Sequence, residues 1–141
     1  MYWEHAVKAI TLAEQVLPSL RAFQVARHPK EHGPIDVIVV YSGLAVDVVH
    51  YDPYTKTPSP KGRPVEYLGE IDPREALSHI NTALREAYVL RGAEYRKPED
   101  AWIVPIAWNN MIILHLKISG DGGRLIADPG LQRRLREAAR P

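Results

Sequence analysis

The chain predicts an α+β domain, an antiparallel sheet of five to six strands with a long amino-terminal helix, a central helix and a short carboxy-terminal helix. Three observations carry this expectation. Apolar residues recur every three or four positions from Trp3, two β-branched runs flank Ser42 and Gly43, and Asp72, Pro73 and Glu75 form a helix-start signal.

In chain order, Val7, Ile10, Ala13, Leu17 and Leu20 fall on one face of a helix. Pro18 lacks an amide hydrogen and clashes with the preceding turn, so this helix is expected to kink or restart there before running toward Arg27, where "HPKEHGP" ends it. "IDVIVVY" and "LAVDVVHY" read as a β-hairpin, because Gly43 accepts the positive φ of a tight turn. "VEYLGEI" reads as a third strand. Asp72 can cap free amides, Pro73 needs no donor in the first turn, and Glu75 holds the capping-box position. The helix that follows is expected to bury Leu77, Ile80, Leu84 and Tyr88 and to stop at Gly92. "AEYRKPED" reads as a loop. In "AWIVPIAW", Pro105 cannot donate to a ladder, which places this strand at a sheet edge or a bulge. Asn109 and Asn110 turn the chain into the strand "MIILHLKIS", "GDGG" turns it into the short strand "RLIA", and Asp128, Pro129 and Gly130 introduce the last helix, "LQRRLREAAR". With no internal repeat and no second domain, residues 1–141 are expected to form one domain. It carries a basic, proline-rich loop at 52–64 and a basic helix or tail at 131–141.

With 45% hydrophobic and 25% charged residues, the chain has the composition of a globular protein. A domain of this length buries roughly 68% of the surface its unfolded chain exposes, enough for a core without disulfide or metal. The absence of cysteine excludes a disulfide framework, thiolate catalysis and thiolate metal sites. Glu4 and His5 stand where a secretory signal would carry cations, and no apolar run approaches a membrane span, so a cytoplasmic protein without membrane contact is expected. The net charge of +1 argues against nucleic-acid binding over the whole surface, because phosphate affinity comes from clustered cations. Direct contact with nucleic acid is expected to be secondary.

His28, Glu31 and His32 match H-x-x-E-H, in which two histidines bind zinc and a glutamate acts as base. Pro29 and Gly33-Pro34 put them in a terminating turn rather than on a helical face, so no metal site is expected. Asp47, His50 and Asp52 lie close together in sequence and His115 lies on a later strand, but alternation sends Asp47 and His50 to opposite faces. Ser42 lacks the G-x-S-x-G elbow, and "SGDGGR" lacks the order of a phosphate loop. No catalytic residue and no cofactor are therefore expected, with a small hydrolase or nuclease as an alternative because triads are assembled by folding. Trp102 and Trp108, six apart on one strand face, read as core.

Two basic features remain. Lys56, Lys61 and Arg63 lie in a loop stiffened by Pro58, Pro60 and Pro64, so little entropy is lost when it docks. Arg133, Arg134, Arg136 and Arg140 stand against Glu137 alone, a charge of +3 over residues 131–141, part of which complements the helix dipole. These seven cations are the expected partner-binding residues, two protrusions that grip an acidic partner.

The order of elements resembles the small type III secretion chaperones, which implies, as an alternative, a dimeric α+β protein that holds an extended peptide. The whole chain, from "MYWEHAVKAI" to "LREAARP", with its cysteine-free composition rich in arginine and proline, resembles the small RNA-polymerase-binding regulators of phages that infect Thermus bacteria. That resemblance implies a non-enzymatic protein in the host cytoplasm. Its partners would be the β flap of bacterial RNA polymerase and the carboxy-terminal domain of the bound sigma factor. Displacement of that sigma domain would change promoter use, and termination would be a further point of action.

Overall fold

The computed structural model describes residues 2–27 and 33–138. It confirms the mixed α+β class, with eight strands in two antiparallel sheets and three α-helices among the described residues. The H-x-x-E-H residues His28, Glu31 and His32, and Arg140 of the tail, lie outside the described residues. No helix among the described residues is long and apolar enough to cross a membrane.

Helix α1 (Tyr2–Val16) turns Ala9, Ala13 and Val16 into the core. The expected continuation toward Arg27 does not occur. A single 3-10 turn carrying Pro18 (Leu17–Ser19) ends the helix, and Leu20–Ala26 is strand β1. The alternation that decides this is Leu20 and Ala22 inward, Arg21 and Phe23 outward, and β2 (Ile35–Tyr41) supplies the ladder that stabilises it. The hairpin is as expected. β2 turns through Ser42 (φ 50°) and Gly43 (φ 84°) into β3 (Leu44–Asp52), both turn residues left-handed as a tight hairpin requires.

"VEYLGEI" is not a strand. Glu66 makes one bridge to Pro34, while the Arg27 guanidinium donates to the Tyr67 and Gly69 carbonyls and stacks over the Tyr67 ring. Backbone acceptors that a ladder would use are taken by a side chain. The fourth strand of this sheet is instead β4 (Thr57–Pro58), inside the expected loop and paired with Tyr51 and Asp52.

Helix α2 (Pro73–Glu86) starts where expected, with Asp72 Oδ1 accepting from the Arg74 amide at 3.0 Å. Ala76, Ile80, Ala83 and Leu84 are buried, each leucine or isoleucine contributing about 1.5–3 kcal/mol by removal from water. The helix ends at Glu86, short of Gly92, because Tyr88–Val89 (β5) pairs with the second sheet, which leaves Tyr88 exposed rather than in the core. Asn81 Oδ1 accepts from the Ala22 amide at 2.8 Å, so α2 occupies an edge donor of β1.

The second sheet is built on β7 (Ala101–Trp108), with β8 (Met111–Ser119) along one side and β5 and β6 (Glu94–Arg96) end to end along the other. β6 lies within the expected loop "AEYRKPED". β7 is thus central, not an edge, but it carries the other expected feature, a break in register with β8 between Ile106 and Ala107, next to Pro105. The central position tolerates Pro105 because of the break between β5 and β6: the missing proline donor falls in that break, where the Pro105 carbonyl accepts from Leu90 at 3.0 Å. "RLIA" is reduced to one bridge between Leu125 and Ile118. Trp102 is buried and donates to the Gly120 carbonyl, and Trp108 packs partly buried on the same core.

The sheets meet side by side along β3 and β8. Lys61 donates its amide to Ile112, Ile126 to Lys117 and Asp128 to Ala45, each at 2.8 Å. From this seam the chain enters α3 (Pro129–Ala138), which lays Leu131 and Leu135 on Ile38, Val40 and Ala45, the sheet face away from α1 and α2.

Candidate functional site

Asp47 closes the gap in the seam. It arises in a β-branched run that buries its neighbours, and its carboxylate, 15% exposed, must find donors there. Oδ1 accepts from Lys61 Nζ at 2.6 Å and Oδ2 from the His115 amide at 2.8 Å, so one side chain serves both as the ion-pair partner of the 52–64 segment and as a ladder acceptor for β8. Lys61 Nζ also donates to the Val48 carbonyl.

Beside this pair a cleft of about 200 Å³ opens, bounded by Arg96, His115, Lys117 and Asp128, with Val46, Ile103 and Ile126 as its apolar wall. Arg96 meets Glu94 at 3.6 Å, and Lys117 pairs with Glu99, whose carboxyl is held below the usual range by that hydrogen bond. Burial holds the His115 imidazole below its ordinary pKa; Asp47 opposes this and Lys61 and Arg96 reinforce it. Its ring makes no hydrogen bond with protein among the described residues.

The expected binding residues are divided by the structure. Lys61, expected in a protruding loop, is only 23% exposed and neutralised by Asp47. Lys56, 62% exposed, meets Glu75 at the start of α2 at 3.3 Å. Arg63 is exposed beyond a turn closed by its amide and the Pro60 carbonyl. The segment itself is tied down: Asp52 Oδ1 accepts from Tyr54 and Thr55, Ser59 donates to His50, and Pro58 and Ser59 are buried. Arg133, Arg134 and Arg136 are exposed on α3, and among the described residues none of them makes an ion pair.

Helix α3 is a fixed platform for those arginines. Asp128 Oδ1 caps the Leu131 amide at 3.0 Å, and Gln132 accepts from the Ala45 amide at 2.8 Å while donating to the Gly43 carbonyl. With Leu131, Gln132 and Leu135 turned to the sheet, helical geometry sends residues 133, 134, 136 and 137 outward.

Two imidazoles have oriented partners. His50 Nδ1 lies 2.6 Å from Asp36 Oδ1 directly across the β2–β3 ladder, and His79 Nδ1 lies 2.8 Å from the Tyr51 hydroxyl, whose pKa is raised by burial and by Glu75. Such pairs can orient a base, but among the described residues no serine or threonine hydroxyl is hydrogen-bonded to an imidazole. No group of three or more potential metal ligands forms there either. Asp47 and His115 are both visible in the sequence as polar interruptions of apolar runs. Arg96 and Lys117 are not, because only the pairing of β6, β7 and β8 brings them together.

No protein family, curated protein or solved structure matches the chain.

Proposed function

We propose that the protein is a non-enzymatic binding module that docks on an acidic surface of its partner through Arg133, Arg134 and Arg136. The observation that carries this reading is the state of those guanidiniums, solvated and without a carboxylate partner among the described residues, on a helix that capping and packing hold in one orientation. Arginine forms bidentate bonds to carboxylates, and a preorganised display loses little entropy on docking. We take the partner to be bacterial RNA polymerase at the β flap and the carboxy-terminal domain of bound sigma, a choice supported by the whole-chain resemblance alone. Its consequence would be altered promoter use or termination.

The test is retention of purified Thermus core polymerase and holoenzyme on the immobilised full-length protein. Holoenzyme retained in preference to core supports the partner; neither form retained at low salt overturns it.

A further inference from the structure

The cleft beside Asp47 has a use that does not depend on the docking role of α3. Its tight ion pair, Asp47 with Lys61, is committed to the seam, since Asp47 also holds the His115 amide. The remaining cations are differently placed. Among the described residues Arg96 and Lys117 pair with Glu94 and Glu99, in contacts at least a third exposed, where such pairs add little and exchange readily. Between them and the seam lies the His115 ring, half-buried, facing the cleft and unserved by any protein hydrogen bond among the described residues.

We propose that this cleft binds a compact oxyanion, a phosphate or a carboxylate group, between Arg96, Lys117 and the His115 imidazole. The volume of about 200 Å³ sets the size. It is below the roughly 300 Å³ at which pockets begin to enclose a whole organic ligand, yet it holds several water volumes of about 30 Å³, as a single oxyanion with its hydration needs. Arginine and lysine supply the fork and the point charge that such groups recognise. The apolar wall of Val46, Ile103 and Ile126 excludes water from one side and strengthens those bonds. Asp128, also at the rim, has its Oδ1 turned to the α3 amide of Leu131.

Binding draws a proton onto His115. The charged groups that act on the ring are Asp47 on β3, Lys61 after β4, and Glu94 and Arg96 on β6; Lys117 on β8 and Asp128 before α3 line the same cleft. Burial now disfavours the imidazolium; an oxyanion in the cleft compensates it, so affinity rises as pH falls through the histidine range.

Nuclear magnetic resonance titration of the full chain tests this, following the His115 imidazole between about pH 5 and 8 with inorganic phosphate and separately with N-acetylglutamate. The expected result is a saturable response to at least one probe, a rise in the His115 pKa, and an affinity about tenfold or more weaker in the Arg96→Gln, Lys117→Gln double variant. Saturation by phosphate alone assigns a free oxyanion, and saturation by N-acetylglutamate alone assigns an acidic side chain. Absence of saturation by either probe overturns the proposal, as does an unchanged response in the double variant. Each single variant removes one long, partly exposed side chain and gives the same reading should the double variant fail to fold.

Discussion

Residues 52–64 carry Lys56, Lys61 and Arg63, and α3 carries Arg133, Arg134 and Arg136, so by charge the two regions are alike. Their surroundings are not. The first segment runs against β3, whose Asp47 sits in a seam where a bare carboxylate would be costly, and against the start of α2, where Glu75 reaches Lys56. Two of its three cations pair with acids of the fold, Lys61 drawn into the seam and Lys56 at the surface. Helix α3 instead spends Leu131, Gln132 and Leu135 on the sheet and leaves its arginines over solvent. Whether a cation is available to a partner is set by the acceptors its neighbours leave unmet, and a count of charges along the chain does not contain that.

The largest effect that sharpens this contrast belongs to Asp47. Its replacement by alanine strands the Lys61 ammonium and the His115 amide, and we expect a loss of about 2–3 kcal/mol in urea unfolding. Asp47→Asn keeps an acceptor for the amide and costs less. Equal losses for both would show that the ion pair dominates and the amide contact matters little.

On the α3 side, Gln132→Ala removes the bond to the Ala45 amide and is expected to cost about 1 kcal/mol. Hydrogen exchange at that amide should accelerate while the β7 amides keep their protection. Uniform acceleration would mean that α3 is part of the global unit rather than an attached platform.

Acid exposes the seam next. Because the folded pKa of His115 lies below its unfolded value of 6.5, the unfolded chain binds the proton first as pH falls. The contribution of His115 to stability is therefore complete at pH well above 6.5 and declines below it, until the folded ring also titrates. His115→Gln should remove that part of the decline between neutral pH and mild acid, read as the difference between urea midpoints. An identical slope in the variant would place the acid sensitivity elsewhere.

The smallest effect is that of Lys56→Ala. Its exposed pair with Glu75 is expected to contribute within about 0.5 kcal/mol, near the error of the same unfolding experiment. A larger loss would mean that the 52–64 segment depends on that contact for its course.

The elements that were legible in the sequence have local causes. The Asp72 cap, the turn at Ser42 and Gly43, the turn at Asn109 and Asn110 (φ 49° and 62°) and the Asp128 cap each depend on residues within four positions. What was misread depends on distant partners. "LRAFQVAR" is compatible with a helix until β2 offers a ladder, and "VEYLGEI" alternates like a strand until Arg27 occupies its carbonyls. Pro105 marks an edge only if one strand spans the whole flank, and here two short strands divide it. The site follows the same rule. The exposure of Arg133, Arg134 and Arg136 was readable from helical spacing, whereas the pairing of Lys61 with Asp47, fourteen positions apart, required the seam.

The most direct measurement sets the two regions against each other in one capture assay. Immobilised wild type, the loop variant Lys56→Ala, Arg63→Ala and the helix variant Arg133→Glu, Arg134→Glu, Arg136→Glu are offered Thermus RNA polymerase holoenzyme, with unfolding midpoints recorded for each. The account predicts that the loop variant retains holoenzyme to within about twofold of wild type. The helix variant should lose about tenfold or more with stability changed by no more than about 0.5 kcal/mol. Loss of capture by the loop variant with full retention by the helix variant would contradict it.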